Sequence, residues 1–142
     1  MIISTTNWSF IVFVVALFIL GRLSSGDNLG IFQEYEVHII NDISSNLEEV
    51  IVRCQSADND LGEHYLNKGD DFNWHFRVNF FRSTLFFCNV KMGENEKIFN
   101  VFDVGYISSK CEDTSTCFWA VRDEGIFFSC DNENYRKAYK WA

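Results

Sequence analysis

The sequence predicts an all-β fold, a small secreted antiparallel β-sandwich of about seven or eight strands carrying disulfides. Three observations lead there. Apolar residues recur at every second position in short runs, most plainly in "DFNWHFRVNF" from Asp71 to Phe80, which is the period of a half-buried strand. Polar, turn-like clusters separate the runs at strand-like intervals, and helical periodicity is almost absent. Five cysteines follow an apolar leader, as in small extracellular domains that add covalent staples to a limited core.

The leader comes first. Residues 10–20 form an uncharged apolar run of 11 residues, too short for the roughly 20 that a bilayer span requires. The run fits the apolar region of a secretory signal, with Ser24-Ser25-Gly26 as a cleavage site. The opening residues 1–9 hold no Lys or Arg, and the competing reading is an uncleaved anchor. The expected organisation is a signal peptide over residues 1–26 and one domain over residues 27–142. Removing Arg22 with the leader leaves 11 Lys and Arg against 20 Asp and Glu, a net charge of -9 with His neutral. That balance argues against nucleic acid and anionic membrane as partners, since both require a basic face.

The strands follow in order. From Tyr35 to Ile40, Tyr35, Val37 and Ile39 share a face; from Glu49 to Cys54, Val50, Val52 and Cys54 do so. "NDISSN" between them reads as a turn. In the third run Phe72, Trp74, Phe76, Val78 and Phe80 alternate with Asn73, His75, Arg77 and Asn79. Each buried Phe or Trp contributes roughly 2–3 kcal/mol, which makes this a candidate central strand. From Thr84 to Met92 the inward set is Phe86, Cys88, Val90 and Met92. From Lys97 to Tyr106 it is Ile98, Phe102, Val104 and Tyr106. From Cys117 to Arg122 it is Cys117, Trp119 and Val121. "RDEG" then turns the chain, with Gly125 free to take positive φ, into a run from Ile126 to Cys130. The tail "NENYRKAYKWA" is an eighth strand or a frayed end. Hairpin-length connections argue antiparallel pairing, and a second sheet is the simplest cover for the apolar faces; a small barrel would leave the same pattern.

Motifs for chemistry are sparse. His38, His64 and His75 have no zinc-helix spacing and read as solvated. Gly-x-Ser-x-Gly and phosphate-binding glycine loops are absent from the sequence. The acidic stretch starting Asp58-x-Asp60 has Glu63 and Gly69 where a calcium loop needs Gly and Glu. We therefore assign no catalytic residue, no cofactor and no metal ligand.

The cysteines carry more. Cys54 and Cys88 both sit at the apolar parity of their strands, and pairing them would close a loop worth roughly 3.8 kcal/mol in the chain-entropy model. Cys111 and Cys117 flank "EDTST", a short loop worth roughly 2.4 kcal/mol. These two pairs are the suggested disulfides. Cys130 is then the free thiol, in a monomer or in a dimer joined through it, although sequence alone does not choose among the pairings.

Several of these residues carry a resemblance. "VIVRCQSADNDLGEHYLNKGDDFNWHFRVNFFRSTLFFCNV" resembles the plant self-incompatibility S-protein homologue family, in which a strand ends in Cys. A Ser/Asp-rich run then reaches Asp-Leu-Gly, and Gly-x-x-Phe-x-Phe-x-Phe leads to Thr-Leu-Phe-x-Cys. The matching positions are Cys54, Asp60 to Gly62, Gly69 to Phe76, and Thr84 to Cys88. "CEDTSTCFWAVRDEGIFF" is similar to the family's Cys-to-Cys-x-Trp-x-Val motif, and "YEVHIIND" to its first strand. Cys130 and Trp74, where Phe is more usual, are departures.

The resemblance implies a secreted β-sandwich with disulfides that acts as a ligand for a cell-surface receptor and is not an enzyme. In the best understood members the stigma secretes the protein, and pollen is arrested when it is recognised. The expected contacts lie on inter-strand loops, at Asp58, Asp60, Glu63, Asp70, Glu112, Asp113, Asp123 and Glu124. The alternatives are a secreted carbohydrate-binding or hydrolytic module, or a defence protein without a dedicated receptor.

Overall fold

Alternation of apolar and polar residues builds two sheets. The structure is a computed structural model and describes residues 32–79 and 83–141; the leader expected over residues 1–26, and Phe80, lie outside the described residues. The strands are β1 (Phe32–Asn41), β2 (Val50–Gln55), β3 (Asp60–Leu66), β4 (Asp71–Asn79), β5 (Leu85–Met92) and β6 (Asn95–Asp103). After a single helical turn, α1 (Ile107–Lys110), come β7 (Thr116–Arg122), β8 (Gly125–Ser129) and β9 (Arg136–Lys140). The five-stranded sheet runs β4-β1-β7-β8-β9 and the four-stranded sheet β3-β2-β5-β6.

Between them lies the core. Val37 and Ile39 of β1, Val50, Val52 and Cys54 of β2, Cys88 and Val90 of β5, and Cys117 and Val121 of β7 are fully buried. Polar groups bridge the layers. The Trp119 indole donates to the Val101 carbonyl at 3.0 Å, and the Tyr35 hydroxyl donates to the Ser108 carbonyl at 3.2 Å. Tyr35 also packs its ring on Phe102, centroids 5.0 Å apart.

Five expectations need correction. The pairing is not wholly antiparallel: β1 runs parallel to β7, with Val37 opposite Cys117 and Ile39 opposite Trp119. Short loops dictate direction only between strands adjacent in sequence, and these two are far apart along the chain. The aromatic strand β4 is an edge strand, not a central one. Its Phe72, Trp74 and Phe76 are half-buried; Trp74 and Phe76 both pack on Phe86, at 5.5 and 4.7 Å.

The stretch carrying Asp58, Asp60, Glu63 and Asp70, expected as an inter-strand loop, contains β3. Its sequence, DLGEHYL, alternates weakly because an edge strand covers little core, and its register comes from backbone pairing with β2. In β6 the inward set is Phe99, Val101 and Phe102, while Ile98 and Tyr106 are exposed. A bulge causes this: Phe86 faces Phe102 but Phe87 faces Asn100, so Val101 is an extra residue and the parity flips.

The fifth correction concerns sulfur. Cys54 and Cys88, opposite each other on β2 and β5, are bonded. Cys111 bonds Cys130, not Cys117. Cys117 points inward from β7 and is the free, fully buried thiol, so Cys130 is neither a free thiol nor a link between copies. Cys111 lies just past α1 and Cys130 just past β8, at the same end of the sandwich.

Candidate recognition surface

At one end of the sandwich a buried asparagine draws loops from both sheets together. Asn41, the last residue of β1, is fully buried, and each of its polar groups is satisfied. Its amide N–H donates to the Asp70 carbonyl at 3.0 Å, and its carbonyl accepts from Gly69 N–H at 2.8 Å. Its side-chain Nδ2 donates to the Leu66 carbonyl at 2.8 Å, and Oδ1 accepts from Ile43 N–H at 3.1 Å. One residue thereby fixes the β1–β2 loop and the β3–β4 turn.

The neighbouring loops lock onto that junction. Ser44 donates through both N–H and Oγ to the Asp123 carboxylate in the β7–β8 turn. Lys68 Nζ donates to the Ser44 carbonyl at 2.9 Å. Arg122 Nε donates to Asp42 at 2.8 Å, its guanidinium lying over the rings of Phe127 and Tyr135. The β5–β6 turn arrives beside Glu48, since Val50 pairs with Met92.

This end is acidic. Asp42, Glu48, Glu49, Asp70, Glu94, Asp123 and Glu124 are all exposed on its four loops. Lys68 and Arg122 are already engaged there, and Lys140 sits opposite Gly125.

Of the eight carboxylates expected as contacts, Asp70, Asp123 and Glu124 meet here. Asp58, Glu112 and Asp113 lie at the opposite end, in the β2–β3 turn and the loop after α1. Asp60 and Glu63 belong to β3 itself; Asp60 pairs with Arg53 of β2, and the hydrogen bond from Arg53 holds its carboxyl below the usual range.

Two of the three histidines are not simply solvated, while His75 is exposed on β4. His38 stacks on Phe118 at 4.7 Å and is held between Asp71 of β4 at 2.8 Å and Glu36 at 3.1 Å, its side chain 15% exposed. His64 stacks on Phe72 at 3.8 Å. Among the described residues no group of three His, Cys, Asp or Glu is placed to hold a metal ion, and no helix is long and apolar enough to cross a membrane.

The model of the plant self-incompatibility protein S1 family matches residues 36–141. The chain belongs to this family. S-protein homolog 29 of Arabidopsis thaliana is 31% identical over 136 residues, 95% of this chain and 98% of that protein. Self-incompatibility protein S1 of Papaver rhoeas is 31% identical over 121 residues, 83% of this chain and 81% of that protein. S-protein homolog 24 of Arabidopsis thaliana is 36% identical over 92 residues, 63% and 59% of the two chains.

Sequence reasoning missed the central piece of this S1-family surface. Asn41 reads as the first residue of a turn, and its burial follows from meeting β3, the strand that weak alternation concealed. One signal was present: the inward parity of Tyr35, Val37 and Ile39 continues to position 41, which placed a polar side chain on the core face.

Proposed function

We propose that this S1-family chain is a secreted, non-enzymatic protein ligand, read by a cell-surface receptor through the loops at the Asn41 end. The observation that carries the reading is seven exposed carboxylates on four loops that two sheets bring together, two of those loops fixed by Asn41 and a third by Ser44 on Asp123. A rigid scaffold presenting loops is a common arrangement for binding, and a receptor patch rich in Lys and Arg complements this charge. The relative named Self-incompatibility protein S1 supports placing the function in cell–cell recognition. On this reading residues 1–26 are a removed signal peptide, and the circulating form is a monomer, since its odd thiol, Cys117, is buried.

The test is capture. Tagged, oxidised protein is incubated with cells from several plant tissues and crosslinked. A discrete membrane protein should be recovered, in amounts that fall when salt is raised. Salt-independent, uniform labelling of all cells would contradict the proposal, as would hydrolysis of a substrate abolished by an acid-to-amide change.

A further inference from the structure

A second feature lies away from that end, where β7, β8 and β9 of the five-stranded sheet meet α1. A cleft of about 280 Å³ opens there. Its walls are Trp119, Phe128 and Tyr139, with Trp119 and Phe128 centroids 4.5 Å apart and Trp119 and Tyr139 6.3 Å apart. At its rim stand Lys110, Arg136 and Lys137, and no acidic residue lines it. The chain has 20 Asp and Glu against 12 Lys and Arg, so this lining reverses the composition of the molecule.

Local structure builds the reversal. Ile126 pairs with Tyr139 but Phe127 with Lys137, leaving Ala138 as an extra residue. Such a bulge breaks the two-residue alternation, and Arg136, Lys137 and Tyr139 all line the cleft. Lys110 is oriented by the Tyr106 hydroxyl at 3.0 Å and lies 5.9 Å from the Phe128 centroid. Neither Arg136 nor Lys137 has a carboxylate partner among the described residues. Of the acids near the cleft, Asp103 accepts Ile107 N–H at 2.7 Å and Asp131 accepts from its own loop, and neither forms an ion pair with the rim. A wider hollow beside the cleft, about 610 Å³, is lined by Asp131 and Glu133 as well and lacks this bias.

We propose that the cleft binds a free one- or two-ring aromatic carboxylate, its ring among Trp119, Phe128 and Tyr139 and its carboxylate on the Lys110, Arg136 and Lys137 rim. The volume is near the lower end of small-molecule sites, about 300 Å³ and upward, and exceeds the roughly 150 Å³ that suffices elsewhere for benzene. Salt at physiological strength screens exposed charges beyond about 8 Å, so the remote acidic loops at the Asn41 end contribute little to the field at the rim. The site is separate from the proposed receptor surface and stands or falls without it.

The probe is 1-naphthoate, titrated calorimetrically into the purified, oxidised protein. Neutral 1-naphthamide and non-aromatic cyclohexanecarboxylate serve as controls. Naphthoate should bind at least about tenfold more tightly than either control, a factor set by one good charge contact. Arg136→Ala/Lys137→Ala, both on an exposed edge strand, should lose about the same factor with thermal unfolding unchanged. Lys110→Gln, off that strand, should also weaken binding. Absence of saturable naphthoate binding at millimolar concentration overturns the proposal. So does equal binding of the amide, or undiminished affinity in both variants. Binding of an acidic aromatic peptide but not of naphthoate would reject the small-molecule site in favour of a peptide groove.

Discussion

Asn41 Nδ2 and the Leu66 carbonyl meet at 2.8 Å across the two sheets, 25 residues apart in the chain. Removing one partner of a buried hydrogen bond leaves the other unsatisfied, which costs about 1–3 kcal/mol for each group. Asn41→Ala strands the Leu66 carbonyl and Ile43 N–H together. The expected loss is about 2–4 kcal/mol, read as a lower denaturant midpoint. Hydrogen exchange should quicken first in the β1–β2 loop and the β3–β4 turn.

Gly125 presents a second junction. Its φ is +146°, and a Cβ there would stand 2.2 Å from the Tyr139 carbonyl oxygen. Gly125→Ala must therefore open the β8–β9 pairing as well as strain the backbone. A loss of about 2 kcal/mol or more is expected. Amides of β9 should lose protection while those of β2 and β5 keep it.

Burial pushes the Cys117 thiol up to about 12, with Asp103 adding to the effect. The thiolate is the reactive form, so native protein at pH 8 should not react with a thiol reagent. After unfolding without reductant it should react once per chain. The linkage sign follows from the raised value. The neutral thiol's contribution is intact below the unfolded-state value of about 8.5 and is lost as pH rises towards about 12. Cys117→Ala should flatten that alkaline decline. Cys111→Ser/Cys130→Ser, which opens a 19-residue separation, should cost about 3 kcal/mol.

Asp131 organises the β8–β9 loop. Its carboxylate accepts from Asn134 N–H and Nδ2, Glu133 N–H and the Ser129 hydroxyl. Those bonds, those from Asn134 foremost, hold its carboxyl well below the usual range. Its contribution is thus present above the unfolded value, about 3.9, and disappears as pH falls through the depressed folded value. Asp131→Asn should flatten the acid limb of the stability profile and leave stability above pH 6 independent of pH at this site.

Period-two alternation made β1, β2, β5 and β7 legible, because each buries one face against the opposite sheet. It failed where one face does little burying or where a residue is inserted. β3 pairs through its backbone at an edge, and Val101 shifts the second half of β6. The Cys54–Cys88 bond was accessible because both residues share the inward parity of paired strands. The Cys111 partner was not: proximity in sequence favoured Cys117, but β7 turns that side chain into the core. For the recognition surface, the acidity of the loops was readable residue by residue. Their division between two ends required the strand directions, including the parallel placement of β1.

The central claim is that the Asn41 end, and not the opposite one, meets the partner. Its most direct measurement is the association rate with captured receptor or receptor-bearing membranes across a salt series. Asp123→Lys/Glu124→Lys and Glu112→Lys/Asp113→Lys are compared with the parent protein. The first pair should slow association by about tenfold or more and reduce its salt dependence, while the second leaves both near parental values. Equal effects from the two pairs, or a larger effect from Glu112→Lys/Asp113→Lys, would contradict it.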